Sequence, residues 1–151
     1  MGSHNMTETP RHSVSVAAAI FDGSGDNVLL IKRRDNGHWE PPGGVLELDE
    51  TIVDGLRREV REETGAEVEV RQLTGVYKNM QRGIVALVFA CHLATQPRTH
   101  SEEALEVTWV PVRELSKYML PAYEVRIIDA AANDRAAVRA HDGTITISGT
   151  Q

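Results

Sequence analysis

Gly44-Val45-Leu46-Glu47-Leu48-Asp49-Glu50-Thr51-Ile52-Val53-Asp54-Gly55-Leu56-Arg57-Arg58-Glu59-Val60-Arg61-Glu62-Glu63-Thr64-Gly65-Ala66 is the stretch whose reading decides the fold. It follows a proline-glycine corner, Pro41-Pro42-Gly43-Gly44, where glycine permits the turn. The pattern predicts a helix from about Thr51 to Thr64, with residues 48–51 as polar N-cap candidates and Gly65 as a left-handed C-cap. Ile52, Val53, Leu56 and Val60 form the expected buried stripe. Glu59, Glu62 and Glu63 lie three and four residues apart, so they share a face just beside that stripe. Like charges so placed cost a bare helix roughly 0.2–0.5 kcal/mol per pair. A hard divalent cation with oxygen ligands is the natural compensation. Gly55 costs about 1 kcal/mol in mid-helix, which points to close approach by a neighbouring strand.

Outward from the helix, alternation predicts further elements. Residues 13–21 and 28–31 read as two strands joined by the Asp22-Gly-Ser-Gly-Asp-Asn turn, a hairpin or loop-linked antiparallel pair. Residues 68–77 read as a strand, and the nearly apolar run 83–94 as a central strand covered on both faces. A polar loop spans 95–103, a strand follows at 106–112, and a short helix starts at Pro111. A longer helix is expected from Pro121 to about Ala140 with Val125, Ile128 and Ala132 inward. The polar tail from His141 carries only a weak Ile145/Ile147 alternation. Such an order predicts an α/β (α+β) fold with a mixed sheet sandwiched between helices.

The chain has 151 residues, enough for one domain that buries roughly 70% of its unfolded surface. Met1 to Asn5 read as an expression-tag remnant, leaving residues 6–151 as a single domain. A net charge of −6 leaves no global basic field for a nucleic acid polymer. No apolar run approaches the ~20 residues that span a bilayer, and no secretion signal is recognisable. Cys91 is the only cysteine, so no internal disulfide forms and a cytoplasmic location is expected.

With its spacing laid out, the stretch resembles the Nudix box: Gly44, five residues, Glu50, seven residues, then Arg58-Glu59-Val60-Arg61-Glu62-Glu63-Thr64-Gly65-Ala66, with no departure at a fixed position. Trp39 before the Pro-Gly-Gly corner and a Trp109-Val-Pro strand extend the likeness over most of the chain. The resemblance implies a Nudix-like α/β/α sandwich that cleaves nucleoside diphosphates linked to another moiety, using Mg²⁺ or Mn²⁺. It implies metal contacts from the Gly44 carbonyl and from Glu59, Glu62 and Glu63, and a brace between Glu50 and Arg58. Glu62 is also a candidate general base, and dimers are frequent in the family.

Charge neutralisation and positioning are what phosphoryl transfer needs, and these residue types supply both. A distal carboxylate is expected from Glu102 or Glu103, with Glu103 preferred as catalytic. Arg33 or Arg34 is a candidate for contact with the phosphates; Glu106 reads as a surface residue. Tyr77 and Trp39 could stack on a base but suit core or rim packing better. The markers of ADP-ribose, dinucleoside polyphosphate, NADH and coenzyme A subfamilies are missing at their usual places. A nucleoside triphosphate or nucleotide-sugar substrate is left by elimination. A catalytically silent nucleotide sensor on the same fold is the alternative, although such members usually lose a box glutamate and this chain keeps all of them.

Overall fold

The computed structural model describes residues 8–132 and 134–147. The tag remnant, and with it most of the reading of where the native chain starts, lies outside those residues. Among the described residues, eight strands and two α-helices run in the order β1 (Ser13–Ile20), β2 (Asn27–Arg33), β3 (Trp39–Glu40), β4 (Gly43–Val45), α1 (Ile52–Thr64), β5 (Val68–Asn79), β6 (Ile84–Leu93), β7 (Ala104–Pro111), α2 (Pro121–Ala132) and β8 (Ala137–His141). A 3₁₀ turn, Val112–Lys117, bridges β7 and α2.

The strands form two sheets. One is mixed, in the order β4-β1-β6-β5-β8, and the other antiparallel, in the order β3-β2-β7. Side-chain alternation divides the core between them. Val16, Ala18, Ile20, Leu29 and Ile31 pack with Leu56 and Val60 of α1, whereas Ala19, Val28 and Leu30 pack with Ile127 and Ala130 of α2. Helices therefore cover opposite sides of the strands, in the expected α+β sandwich. β6 lies at the centre of its sheet, as its apolar run predicts.

Several expectations are corrected. β1 and β2 are not a paired hairpin: one bridge, Phe21 to Val28, joins them before they part into different sheets. Both edges of β1 are already taken by β4 and β6, so β2 pairs with β7 instead. Ile52 and Val53 are exposed (41% and 38%), and the buried face of α1 is Gly55, Leu56, Glu59, Val60, Glu63 and Thr64. Gly55 is needed for space, but a loop takes that space: a Cβ there would collide with Leu46 and with the Glu50 carboxylate.

α2 stops at Ala132 and buries Ala122, Ile127 and Ala130; Ile128 is 48% exposed. The alanine-rich residues beyond it form β8 instead, parallel to β5 with Gly75 opposite Ala137. Helix propensity loses there to an open sheet edge. Thr51 caps α1 by accepting from the Asp54 N–H, and Gly65 closes it at φ 74°. Tyr77 is fully buried, with its hydroxyl donating to Asp129 Oδ2 and Arg126 over its ring. Trp39 meets Tyr118 edge to face. Cys91 is buried, and burial pushes its thiol up to about 12.

The inward stripe of α1 generates a stability contrast. Leu56→Ala, at a fully buried position, is expected to cost about 2–5 kcal/mol, whereas Ile52→Ala costs roughly 0.5 kcal/mol. Urea unfolding of both variants measures the difference. Equal costs would contradict the helix orientation.

Candidate active site

The site is assembled where α1 passes under the glycine corner. β4 pairs with β1, Ala17 opposite Gly43 and Val16 opposite Gly44, and the Ala18 N–H donates to the Pro42 carbonyl (2.8 Å). Neither glycine has a positive φ. Their small size is what matters, which corrects the turn-based reason for them. A Cβ on Gly43 would strike the backbone of Val16 and Ala17, and one on Gly44 would overlap the Glu59 carboxylate. Leu56 and Val60 fix the helix against the core, so the glutamates on the adjoining face are pressed up to this corner.

Glu59 and Glu63 are 9% and 5% exposed, unusual burial for two carboxylates one turn apart. Glu63 Oε1 accepts the Gly43 N–H at 2.7 Å. Burial, and then the charges of Glu59, Glu40 and Glu103, push the Glu63 carboxyl up to about 9 despite that bond. Burial also raises Glu59, opposed by Arg58 and reinforced by Glu62 and Glu103. Glu62 faces solvent. Ligand oxygens of Glu59, Glu62 and Glu103 lie within 4.8 Å of one another.

Arg58 holds the helix side of the cluster. Its Nε and Nη2 make a bidentate pair with Glu50 (2.8 and 2.7 Å), and its Nη1 reaches Glu62 at 3.1 Å. Glu59 is 3.4 Å from the same guanidinium. Glu50 also accepts the Glu47 N–H, and its carboxyl is lowered to about 2, mostly by Arg58. The loop between β4 and α1 is thereby tied to the helix.

The distal candidates separate. Glu103 joins the cluster, whereas Glu102 lines a shallow groove of about 590 Å³ with Arg34, Arg98, Thr99, His100 and Ser101. Glu106 is exposed on β7, opposite Lys32. Arg33 is engaged by Asp35 (2.6 Å) and Glu40 (3.0 Å), and Arg34 Nε donates to the Ser101 carbonyl. Sequence reading missed Glu40 and the Gly43 N–H. Glu40 is half-buried, raised by burial, and adds to the field on Glu63. Its place just before Pro41-Pro42 was the only signal for it.

These donors are carboxylate oxygens in excess of the one arginine that offsets them. Hard oxygen ligands and surplus negative charge suit Mg²⁺ or Mn²⁺ rather than a thiophilic ion.

A family model for the NUDIX domain matches residues 11–131. The chain belongs to the NUDIX family. It is 51% identical to a MutT-like protein of Streptomyces ambofaciens, over 91% of this chain and 88% of that protein. It is 33% identical to mouse nucleoside diphosphate-linked moiety X motif 6, over 70% of this chain but only 37% of that longer protein. The crystal structure of a NUDIX hydrolase from Nitrosomonas europaea superposes with a TM-score of 0.73 at 25% identity, covering 89% of this chain and 82% of that one. The NUDIX assignment makes the chain a phosphoanhydride hydrolase.

The buried Glu63 sets a pH dependence for the metal-free protein. Its folded form keeps the proton between 4.5 and about 9 while the unfolded form loses it, so its contribution to stability falls as pH rises through that window. Glu63→Gln keeps an oxygen for the Gly43 N–H and removes the ionisation. In a metal chelator, it is expected to raise the melting temperature by several degrees at pH 8.5 and hardly at all at pH 5. Equal shifts at both pH values would show that the Glu63 charge does not limit stability.

Proposed function

We propose that this NUDIX chain hydrolyses the phosphoanhydride of a nucleoside diphosphate linked to another moiety, of nucleoside triphosphate or nucleotide-sugar type, with Mg²⁺ or Mn²⁺. The observation that carries the reading is the convergence of Glu59, Glu62 and Glu103 oxygens beside a buried Glu63. Glu59, Glu62, Glu63 and the Gly44 carbonyl would hold the ion, with Glu103 placed to join them as a further ligand. When bound, it offsets charge on the diphosphate and polarises the attacked phosphorus.

The chain's own groups account for the rest. Glu62 and Glu103, the exposed members, face the solvent that supplies the attacking water, and one of them takes its proton. The water oxygen bonds to phosphorus as the anhydride P–O bond breaks. The products are a nucleoside monophosphate and pyrophosphate or a phosphorylated remainder. The Glu50–Arg58 pair keeps Glu59 and Glu62 oriented. Of the two arginines at the end of β2, Arg33 is matched by Asp35 and Glu40, and Arg34, against the turn that carries Glu103, is the better placed to add positive charge for the phosphates. A net charge of −6 favours a small substrate over a nucleic acid polymer. The lone, buried Cys91 suits a reducing cytoplasm.

Assay of nucleoside triphosphates, nucleotide sugars, ADP-ribose, NADH and dinucleoside polyphosphates with Mg²⁺ or Mn²⁺ tests this directly. A nucleoside monophosphate product is expected from at least one of them. Glu59→Gln and Glu63→Gln should each lower that turnover by orders of magnitude in a folded protein. Mn²⁺ should raise the melting temperature of the wild type more than that of the double variant. Full activity in either single variant would overturn the assignment.

A further inference from the structure

Two of the three converging carboxylates are carried by one rigid helix, and the third comes from a loop. Glu103 must approach Glu59 and Glu62 against like-charge repulsion, so something outside the cluster has to hold it there. The loop is closed on itself at its end. The Ser101 N–H donates to the Ala104 carbonyl at 2.9 Å, and Ser101 Oγ accepts from the N–H groups of Ala104 (3.0 Å) and Glu103 (3.3 Å).

Arg34 then ties this turn to β2. Its backbone N–H donates to the Glu103 carbonyl (3.1 Å) and its Nε to the Ser101 carbonyl (2.9 Å). Just beside these bonds the β2–β7 ladder shifts register: Lys32 faces Glu106, but Arg33 faces Ala104, so Leu105 has no partner of its own. A bulge of this kind bends a strand and re-aims its side chains.

We propose that Arg34 is a positioning residue for the metal centre: its bond to the Ser101 carbonyl holds the turn over residues 101–104 so that Glu103 stays among the ligands. The inference rests on the metal-dependent reading above and gives Arg34 a task besides attracting phosphate. Removing the donor frees the turn, and repulsion from Glu59 and Glu62 carries Glu103 away. Orienting bonds behind a metal ligand typically change metal affinity by about 10–100-fold. The low end suits this site, because the bond is exposed to water.

The test is Mn²⁺ binding by electron paramagnetic resonance or calorimetry, alongside turnover of the best substrate. The proteins are the wild type, Arg34→Met, Glu103→Gln, the Arg34→Met/Glu103→Gln double variant, Ser101→Ala and Glu59→Gln. Methionine keeps the aliphatic stem and removes the donor. About tenfold weaker Mn²⁺ binding is expected for Arg34→Met, and the double variant should bind no more weakly than Glu103→Gln alone. Ser101→Ala, which opens the same turn from its other side, should move binding in the same direction.

A side chain that only contacts phosphate would raise KM and leave Mn²⁺ binding unchanged, and that result overturns the proposal. So does an additive loss in the double variant. Failure of the metal centre itself looks different: neither Glu59→Gln nor Glu103→Gln would then weaken Mn²⁺ binding, and the positioning role would fall with it.

Discussion

Burying the carboxylates of Glu59 and Glu63 under the glycine corner is the constraint on which the rest of this structure depends. Two acids one helical turn apart, each less than a tenth exposed, are a standing cost to the folded state. The fold meets that cost only in part. Glu63 receives one backbone N–H, from Gly43, and Glu59 has one guanidinium, that of Arg58, at 3.4 Å. What remains is a cluster of Glu59, Glu62 and Glu103 beside a Glu63 that keeps its proton up to about 9, in a site that two glycines keep narrow. Charge left uncompensated by the protein is what gives an incoming cation something to bind.

The sheet serves that corner. β1 pairs with β4 on one side and β6 on the other, so the backbone against which Gly43 packs is pinned from both edges. Leu56 and Val60, fully buried on the same face as Glu59 and Glu63, set the height of α1 over the strands. The Glu50–Arg58 pair then sets the loop relative to the helix. Apolar packing fixes position, the ion pair fixes orientation, and the glycines remove the atoms that would otherwise occupy the space. Each acts on the same two carboxylates.

Much of this was legible in the chain because it depends on local spacing. The helix limits, the Thr51 and Gly65 caps and the placement of Glu50 opposite Arg58 all lie within one stretch. Other features depend on which edges and faces are free in three dimensions. The Ala137–His141 strand exists because β5 offers an unpaired edge, which helix propensity cannot report. Ile52 and Val53 are apolar, yet the wide inward face of α1 is partly made of acids, so a stripe drawn through apolar residues alone points too far round the helix. The Gly43 N–H bond to Glu63 joins residues 20 positions apart and has no signature in side-chain type.

The loop that carries Glu102 and Glu103 shows the same limit most sharply. Two identical side chains stand next to each other, and composition treats them alike. In the fold they part, one lining the groove beside Arg34 and the other reaching the carboxylate cluster. Both lie in the loop just before β7, where no strand alternation assigns either side chain to a face. In the turn closed by Ser101, Glu103 is the one that reaches the cluster. Helix spacing places Glu59 and Glu62 automatically, because both ride on one rigid element. The third carboxylate depends on a loop and on the bonds that hold it, which is why the sequence gives Glu103 only a preference over Glu102 and the structure separates them.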